Sequence, residues 1–253
     1  MPFPRPADRP TAAMLRFPSV TATLSAGAPG LGKAWENDFL GPLPRQPPRA
    51  ALPWSIRHMH DATLDYYDAN AEAFAASTRA LAFTSTQSRF LDRLPPAASV
   101  LDLGCGSGRD ARFFLERGCR VTAMDGCGRM CRLASDFAGI PVRHMRFKDL
   151  RDTSAYDGVW ACASLLHLPR TQLAAALARV RAALKPGGVL YASFKYGTFE
   201  GMRGGRYYTD FTEDTFAEYL RSERLGLTPE ETWISADIRP ERRDERWLNM
   251  FLR

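Results

Sequence analysis

The stretch Val100–Asp110, with the sequence VLDLGCGSGRD, constrains the fold more than any other part of the chain. Its apolar start has the length and branching of a buried strand in a parallel sheet. Gly104, Gly106 and Gly108 follow at two-residue spacing, and glycine adopts positive φ without placing a Cβ against a ligand. We expect Ser107 to cap the helix that follows. The pattern predicts a strand, a glycine loop and a helix that bind a nucleotide-containing ligand.

The next predicted strand helps to choose between cofactors. Arg120–Asp125 ends in a carboxylate, about 20 residues after the first glycine, where doubly wound sheets bind ribose hydroxyls. A dinucleotide site has the spacing GxGxxG, whereas this chain has three alternate glycines preceded by Asp102. A buried acid there repels a pyrophosphate and suits a cofactor that carries an amino group. The residues therefore disfavour NAD.

Four stretches resemble, in order and spacing, the motifs of the class I S-adenosylmethionine-dependent methyltransferases. They are VLDLGCGSG, VTAMD, Tyr156–Leu168 and Leu184–Phe194. The resemblance covers the chain from Thr63 to Arg253. It implies an α/β, Rossmann-like fold with a seven-stranded, mostly parallel sheet, an antiparallel C-terminal hairpin and helices on both faces. The implied cofactor is S-adenosyl-L-methionine. The GSGRDA loop and the DERWLN ending are most similar to small bacterial tellurite-resistance-like methyltransferases.

The resemblance implies which residues bind the cofactor. Asp102 and the glycines belong at its methionine end, and Asp125 belongs at its ribose. The residue that contacts adenine stays open between Phe147 and Asp149, because two registers are compatible with the sequence after the third strand. The full expected set is Asp102, Gly104, Cys105, Gly106, Gly108, Asp125, Gly126, Phe147, Asp149 and Ala163.

Three residues are catalytic candidates on the acceptor side of the cofactor. His167 could serve as a general base for a hydroxyl acceptor, and packing against the cofactor is its alternative. Tyr67 lies on a helix predicted over Ala62–Thr78, which covers the cofactor in related enzymes; plain core packing is the alternative. Arg206 lies in a basic, aromatic insertion beyond a strand end, where arginine suits an anionic group and tyrosines suit a planar ring. A solvated hairpin is the alternative for this insertion.

Composition predicts one domain with a sizeable core and no metal. The chain has 253 residues, of which 45% are hydrophobic. Its five cysteines, an odd number, indicate reduced thiols in a cytoplasmic protein. Cys127 and Cys131 lie one helical turn apart, but two ligands do not make a zinc site. The sequence contains no apolar run of about 18 residues, so neither a transmembrane helix nor a membrane partner is expected.

Residues 1–57 differ in composition from the rest, so we expect a disordered leader there and a methyltransferase domain over 58–253. The leader holds 11 of the 18 prolines and carries seven basic and three acidic residues, +4 of the net charge of +6. Met59 is an alternative start. The leader segment GAPGLGK has the spacing of a phosphate-binding loop, but Ala34 stands where Ser or Thr would bind magnesium, so we expect no nucleotide site.

These observations favour an enzyme that transfers a methyl group to a small-molecule acceptor, anionic or aromatic. The reaction is an in-line displacement in which positioning supplies much of the rate. The alternative is a tRNA or other nucleic-acid methyltransferase, with the arginines of the leader as phosphate contacts. A third possibility is a cofactor-sensing domain without catalysis. The sequence leaves monomer and homodimer open.

Overall fold

The computed structural model describes residues 54–253, with side chains described from residue 62 onward. The expected disordered leader, the GAPGLGK segment and the leader arginines proposed to bind nucleic acid lie outside this range, apart from residues 54–57. Those four residues form the first turn of a helix that begins at Trp54. This helix therefore starts before the domain boundary expected at residue 58.

The described residues form seven α-helices and nine strands. The helices are α1 (Trp54–Ala69), α2 (Ala71–Arg79), α3 (Thr84–Leu91), α4 (Arg109–Glu116), α5 (Gly128–Ala138), α6 (Arg170–Ala183) and α7 (Glu213–Ser222). The strands are β1 (Ser99–Leu103), β2 (Arg120–Asp125), β3 (Val142–His144), β4 (Tyr156–Ala161), β5 (Leu184–Lys195), β6 (Glu200–Arg203), β7 (Arg206–Thr209), β8 (Pro229–Ala236) and β9 (Arg246–Leu252). Among these helices, none combines the length and apolar character needed to cross a bilayer.

Seven of the strands form one sheet in the order β3-β2-β1-β4-β5-β9-β8. β1 pairs in parallel with β2 and with β4, whereas β9 runs antiparallel between β5 and β8. The predicted seven-stranded sheet with an antiparallel C-terminal hairpin is confirmed. The strand order reverses between β1 and β4, and ligands of open α/β sheets bind beyond the carboxyl ends of the strands at such a point.

Separate hydrophobic cores cover the two faces of the sheet. Successive residues of β1 point to opposite faces, so Leu101 packs into one core and Val100 into the other. In the second core, the Trp160 ring stacks on the Tyr191 ring with centroids 4.0 Å apart. Phe90 and other aromatic rings surround this pair. The buried strands thereby hold the loops at their carboxyl ends in fixed positions.

The N-terminal segment forms two helices, so the single helix predicted over Ala62–Thr78 is wrong. The break falls at Asn70, whose backbone has φ −116° and ψ 15°, outside helical values. The Asn70 side-chain amide donates a 2.8 Å hydrogen bond to the Tyr66 carbonyl. Asparagine side chains compete in this way with the backbone of a helix.

The basic, aromatic insertion folds as a two-stranded hairpin of β6 and β7. Gly204 and Gly205 form the two-residue turn, with φ +56° and +78°, values that a hairpin turn of this length favours. Tyr207 and Tyr208 of β7 are buried, whereas β6 and the turn are largely exposed, so the hairpin is packed through β7 and solvated along β6. The backbone N–H of Tyr207 donates to the hydroxyl of Thr63 in α1 at 2.9 Å.

Candidate active site

A cavity lies beyond the carboxyl ends of β1, β2, β4 and β5. Its walls come from many separate parts of the chain, among them α1 and α2, the ends of β2 and β5, the β6–β7 hairpin, the β8–β9 loop and the segments after β1, β3 and β4. Most of the expected site residues line it: Tyr67, Gly104, Cys105, Gly106, Asp125, Gly126, Phe147, Ala163, His167 and Arg206. Asp102, Gly108 and Asp149 do not line it.

The glycine loop lies against the segment after β4 with no room for a side chain at its first glycine. Gly104 has φ +78°, and a Cβ there would lie 2.5 Å from the Ser164 Cβ. The backbone N–H groups of Gly104 and Cys105 both donate to the Met124 carbonyl at 2.9 Å. A ligand can therefore approach the main chain of the loop closely from the cavity side.

Gly108 serves helix packing and not the cavity wall. It precedes α4 with φ +81°, and a Cβ there would lie 2.9 Å from the Ala134 carbonyl oxygen in α5. The expected capping by Ser107 is wrong, because α4 has no side-chain cap. The hydroxyl of Ser107 instead lies 2.9 Å from the hydroxyl of Thr78 in α2. This contact joins the loop to the N-terminal helices.

Asp125 presents its carboxylate to the cavity at the end of β2. One oxygen accepts the backbone N–H of Gly106 at 3.0 Å, and the other accepts that of Cys127 at 2.8 Å. Burial raises the pKa of Asp125, although these two N–H groups oppose the effect. Each carboxylate oxygen retains capacity for one more hydrogen bond, which suits the two hydroxyls of a ribose.

Asp102 lies behind the glycine loop, where its side chain is 2% exposed. Its Oδ2 atom is buried and has no hydrogen-bond partner among the described residues. Burial raises the pKa of Asp102 well above its usual range, and the nearby carboxylate of Asp110 adds to the effect. A buried carboxyl group behind the loop favours a ligand with a cationic end, because nearby positive charge stabilises the ionised form of that group, as the ammonium and sulfonium groups of S-adenosylmethionine would. It disfavours a pyrophosphate.

Sequence reasoning missed an ion pair at this end of the cavity, although Arg109 and Asp110 both lie in the first motif. Asp110 is buried and accepts hydrogen bonds from both Arg109 nitrogens at 2.8 and 2.9 Å, from Gln87 at 2.6 Å and from the Trp160 indole at 2.9 Å. The Arg109 side chain lines the cavity beside Cys162. Burial raises the pKa of the Cys162 thiol to about 12, so it stays protonated at neutral pH.

The two candidates for adenine contact occupy different places. Phe147 lines the cavity and packs beside Gly104. Asp149 is exposed and lies outside the cavity wall. Of the two, Phe147 lines the cavity and Asp149 does not, and the contact of Phe147 with adenine stays a prediction. Ala163, with φ +50°, lines the wall, and its N–H donates to the Ser193 hydroxyl at 2.8 Å.

Tyr67 and His167 form a hydrogen-bonded pair at the opposite end. The Tyr67 hydroxyl lies 2.9 Å from Nε2 of His167, and Nδ1 of His167 lies 2.6 Å from the backbone carbonyl of Tyr207. Burial raises the pKa of Tyr67 to about 12, although Arg206 opposes the effect. Both ring nitrogens of His167 thus contact the protein, and the Tyr67 hydroxyl stands at the cavity wall.

Arg206 points into the same end of the cavity from the hairpin. Its guanidinium carbon lies 4.5 Å from the Tyr66 ring centroid and 5.3 Å from that of Tyr208. One Nη atom lies 3.5 Å from the Tyr67 hydroxyl, and the Nε atom is buried without a partner. Among residues 62–253, no carboxylate forms a salt bridge with Arg206. Its neighbour Arg203, in contrast, forms two 3.1 Å bonds with Asp210.

The β8–β9 loop closes the cavity with a cluster of charges that sequence reasoning did not assign. Lys195 is 8% exposed, contacts Glu245, and lies 3.3 Å from Asp237 and 3.9 Å from the Trp247 ring centroid. Burial opposes ionisation of Asp237, but hydrogen bonds from Arg239 and Trp247 outweigh it and hold the pKa of Asp237 below its usual range. The DERWLN segment was the sequence signal that could have indicated this cluster, because it contains Glu245 and Trp247.

Comparison with known proteins agrees with this geometry. A family model described as a methyltransferase domain matches residues 100–188. A solved structure from Burkholderia thailandensis, 1,6-didemethyltoxoflavin-N1-methyltransferase with bound 1,6-didemethyltoxoflavin and S-adenosylhomocysteine, is similar with a TM-score of 0.65 and 25% identity. The similarity covers 82% of this chain and 92% of that one. Residues 100–188 thus match a methyltransferase domain, and the described fold is similar to that of a methyltransferase solved with S-adenosylhomocysteine.

Curated relatives share shorter segments with the chain. Malonyl-[acyl-carrier protein] O-methyltransferase of Salmonella typhimurium is 34% identical over 97 residues, 37% of this chain and 37% of the relative. Ubiquinone biosynthesis O-methyltransferase of Xanthomonas oryzae pv. oryzae is 29% identical over 154 residues, 51% of this chain and 63% of the relative. The matches thus span less than two thirds of either relative. The similarity to tellurite-resistance-like enzymes stays a prediction.

Proposed function

We propose that the protein transfers the methyl group of S-adenosylmethionine to a small-molecule acceptor that carries an anionic group on an aromatic or other planar frame. The relatives described above, by their names, include O-methyltransferases and an N-methyltransferase, which supports a small acceptor. The arginine and the aromatic rings at the acceptor end of the cavity support an acceptor that is both anionic and planar. The five unpaired cysteines suit a reducing cytoplasm.

The surroundings of Arg206 are the main support for an anionic group on the acceptor. It is a partly buried cation whose neighbours in the described part of the chain are tyrosine rings, with no salt-bridged carboxylate. A buried charge without a partner is unfavourable, and a guanidinium binds carboxylate or phosphate through two parallel hydrogen bonds. An acceptor anion supplies the missing partner. The rings of Tyr208 and Trp247 on the same cavity wall suit a planar acceptor.

The remaining site residues divide between cofactor and acceptor. Asp125 would bind the ribose hydroxyls, Gly104 and Gly106 would let the methionine end approach the main chain, and Phe147 would cover adenine. The bound cofactor would supply an activated methyl group. The chain then has to align the acceptor atom with the methyl carbon, exclude water and accept any proton that the acceptor loses.

A screen with radiolabelled S-adenosylmethionine tests this proposal. The acceptors are 4-hydroxybenzoate, 3,4-dihydroxybenzoate, catechol, benzoate, a malonate half-ester and an aromatic N–H heterocycle. We expect transfer to at least one anionic member. In the Arg206→Ala variant, the KM for that acceptor should rise about 10- to 100-fold, the value of a lost charge-assisted hydrogen bond. The Kd for S-adenosylhomocysteine should change less than about twofold.

A matched variant controls for the loss of positive charge. Arg243→Ala removes the same charge from an exposed position outside the cavity wall, and we expect no change in the KM of the acceptor. If both variants raise the KM equally, long-range charge and not contact explains the effect. If Arg206→Ala raises the Kd for S-adenosylhomocysteine and leaves the KM of the acceptor unchanged, the assignment of Arg206 to the acceptor is wrong.

A further inference from the structure

Tyr67 and His167 form a hydrogen-bonded pair on the wall of the cavity. The imidazole has the Tyr67 hydroxyl on Nε2 and the Tyr207 carbonyl on Nδ1, at 2.9 and 2.6 Å. Both Tyr67 and His167 line the cavity, but the His167 residue is 9% exposed. Because both ring nitrogens of His167 already have partners, an acceptor that donates a hydrogen bond to this pair can do so at the Tyr67 oxygen.

The hydrogen bonds fix which atoms carry protons. A backbone carbonyl can only accept, so Nδ1 of His167 carries the hydrogen that is donated to Tyr207. In a neutral imidazole Nε2 is then a bare acceptor, and the Tyr67 hydroxyl donates to it. The Tyr67 oxygen keeps lone pairs for a hydrogen bond from a further donor. An acceptor hydroxyl or ring N–H is a donor of that kind.

We propose that Tyr67 relays to His167 the proton that the acceptor loses, so that the methylated atom is a hydroxyl oxygen or an N–H nitrogen and not a carboxylate. This inference rests on the proposed function. The acceptor atom forms its bond to the methyl carbon as that carbon leaves sulfur, which keeps the electron pair of the broken bond. The acceptor proton moves to the Tyr67 oxygen, and the proton of Tyr67 moves to Nε2 of His167.

Charge is conserved in this step. The positive charge lost from sulfur appears on the His167 imidazolium, which then donates through both ring nitrogens, to Tyr67 and to the Tyr207 carbonyl. The proton passes to water when the product leaves. Tyr67 begins and ends the step as a neutral phenol. This agrees with its pKa of about 12, because a phenol with that pKa is not ionised at neutral pH.

The surroundings hold the pair in this arrangement. The Tyr207 carbonyl is positioned by the neighbouring backbone N–H, which donates to Thr63 at 2.9 Å. The backbone N–H of His167 donates to the Ser164 carbonyl at 3.2 Å. Arg206, whose Nη atom lies 3.5 Å from the Tyr67 oxygen, favours negative charge on that oxygen as its proton departs. The helix α1, the strand β7 and the segment after β4 thus converge on the relay.

Nitrogen NMR of the full-length protein with bound S-adenosylhomocysteine tests the relay without an acceptor. The chain has four histidines, so His167→Gln identifies the resonances of His167. We expect a protonated Nδ1 and a bare Nε2. In Tyr67→Phe the tautomer should persist, because Tyr207 still accepts, and the Nε2 resonance should move downfield with the loss of its hydrogen bond. Tyr196→Phe, which removes an exposed hydroxyl outside the cavity, should change neither resonance.

An Nε2-protonated tautomer, or an Nε2 resonance unchanged in Tyr67→Phe, would overturn the relay. The acceptor screen supplies a second readout: hits among hydroxyl and N–H compounds support it, and hits confined to carboxylates refute it. For a hydroxyl acceptor, Tyr67→Phe should lower kcat about 100-fold or more while KM stays within about threefold. A protein that binds no S-adenosylmethionine contradicts the proposed function itself, a failure that calorimetry distinguishes from the failure of the relay.

Discussion

At the scale of single residues, the two carboxyl groups near the glycine loop, Asp102 and Asp125, differ in the hydrogen bonds that the protein gives them. Asp125 accepts two backbone N–H groups and faces the cavity, whereas Asp102 is 2% exposed and has one oxygen without a partner among the described residues. Burial raises the pKa of both carboxyl groups. An acid kept under such conditions is costly to the fold, and a cationic ligand offsets that cost.

Asp125→Ala should weaken the binding of S-adenosylhomocysteine about 10- to 100-fold, because hydrogen bonds to a charged group are each worth about 1.5–3 kcal/mol. Asp149→Ala is the matched control: it removes a carboxylate from an exposed position outside the cavity and should change the Kd less than about twofold. Isothermal titration calorimetry measures both values. Equal affinity in wild type and Asp125→Ala would contradict the placement of the ribose.

Asp102→Asn should stabilise the ligand-free protein at neutral pH. A carboxyl group whose pKa is raised on folding contributes stability below its unfolded pKa, about 3.9, and loses it as pH rises through the folded value. The asparagine variant has no carboxyl group to ionise, so its free energy of unfolding should exceed that of wild type by a margin that grows above about pH 4. Urea unfolding at several pH values measures it, at about 1.4 kcal/mol per unit of pKa shift.

The same substitution should weaken the binding of the cofactor, because it removes the carboxyl group that can ionise opposite the cationic end of the ligand. The combined result, higher stability without ligand and lower affinity for S-adenosylmethionine, would identify Asp102 as a residue whose charge serves the ligand. A variant that is less stable than wild type at pH 7 would show that Asp102 is needed by the fold alone.

At the scale of elements, local sequence signals predicted the strands that surround the cofactor end. β2 lies where the Arg120–Asp125 pattern predicted it, because an apolar run bounded by charge is a local signal. The packing of the β6–β7 hairpin on α1 and the charge cluster of the β8–β9 loop depend on contacts between distant segments, such as Tyr207 with Thr63 and Ser193 of β5 with Asn249 of β9. Sequence patterns located these residues but could not bring them to one cavity.

The hairpin turn provides a test at this scale. Gly204→Ala and Gly205→Ala both place alanine at positive φ, at about 1–2 kcal/mol each. The added Cβ at Gly204 meets open space, whereas at Gly205 it would lie 3.0 Å from the Tyr66 ring. We expect Gly205→Ala to lose about 1 kcal/mol more in urea unfolding and to raise the acceptor KM. Equal losses in the free energy of unfolding for the two variants would show that Gly205 is not in close contact with α1.

At the scale of the whole molecule, the cavity joins segments that are far apart along the chain. Tyr67 bonds to His167 across 100 residues, and Thr63 to Tyr207 across 144. The family resemblance predicted which residues belong to the cofactor end, because those motifs are short and local. The acceptor end is assembled from α1, the hairpin and the C-terminal strands, and its charge balance emerges only in three dimensions.

Because one ligand contacts walls from all these segments, S-adenosylmethionine should raise the melting temperature of the whole domain. At 100 times its Kd, a ligand stabilises by about 2.7 kcal/mol, or about 5–10 °C for a domain of this size. Thermal unfolding of the full chain with S-adenosylmethionine, S-adenosylhomocysteine and NAD, each alone, measures it. The first two should raise the melting temperature and NAD should not, since carboxylates surround the glycine loop. A chain that begins at Trp54 should show the same shifts, because the cavity described above is lined by residues after Trp54; a smaller shift would mean that residues 1–53 contribute to the site.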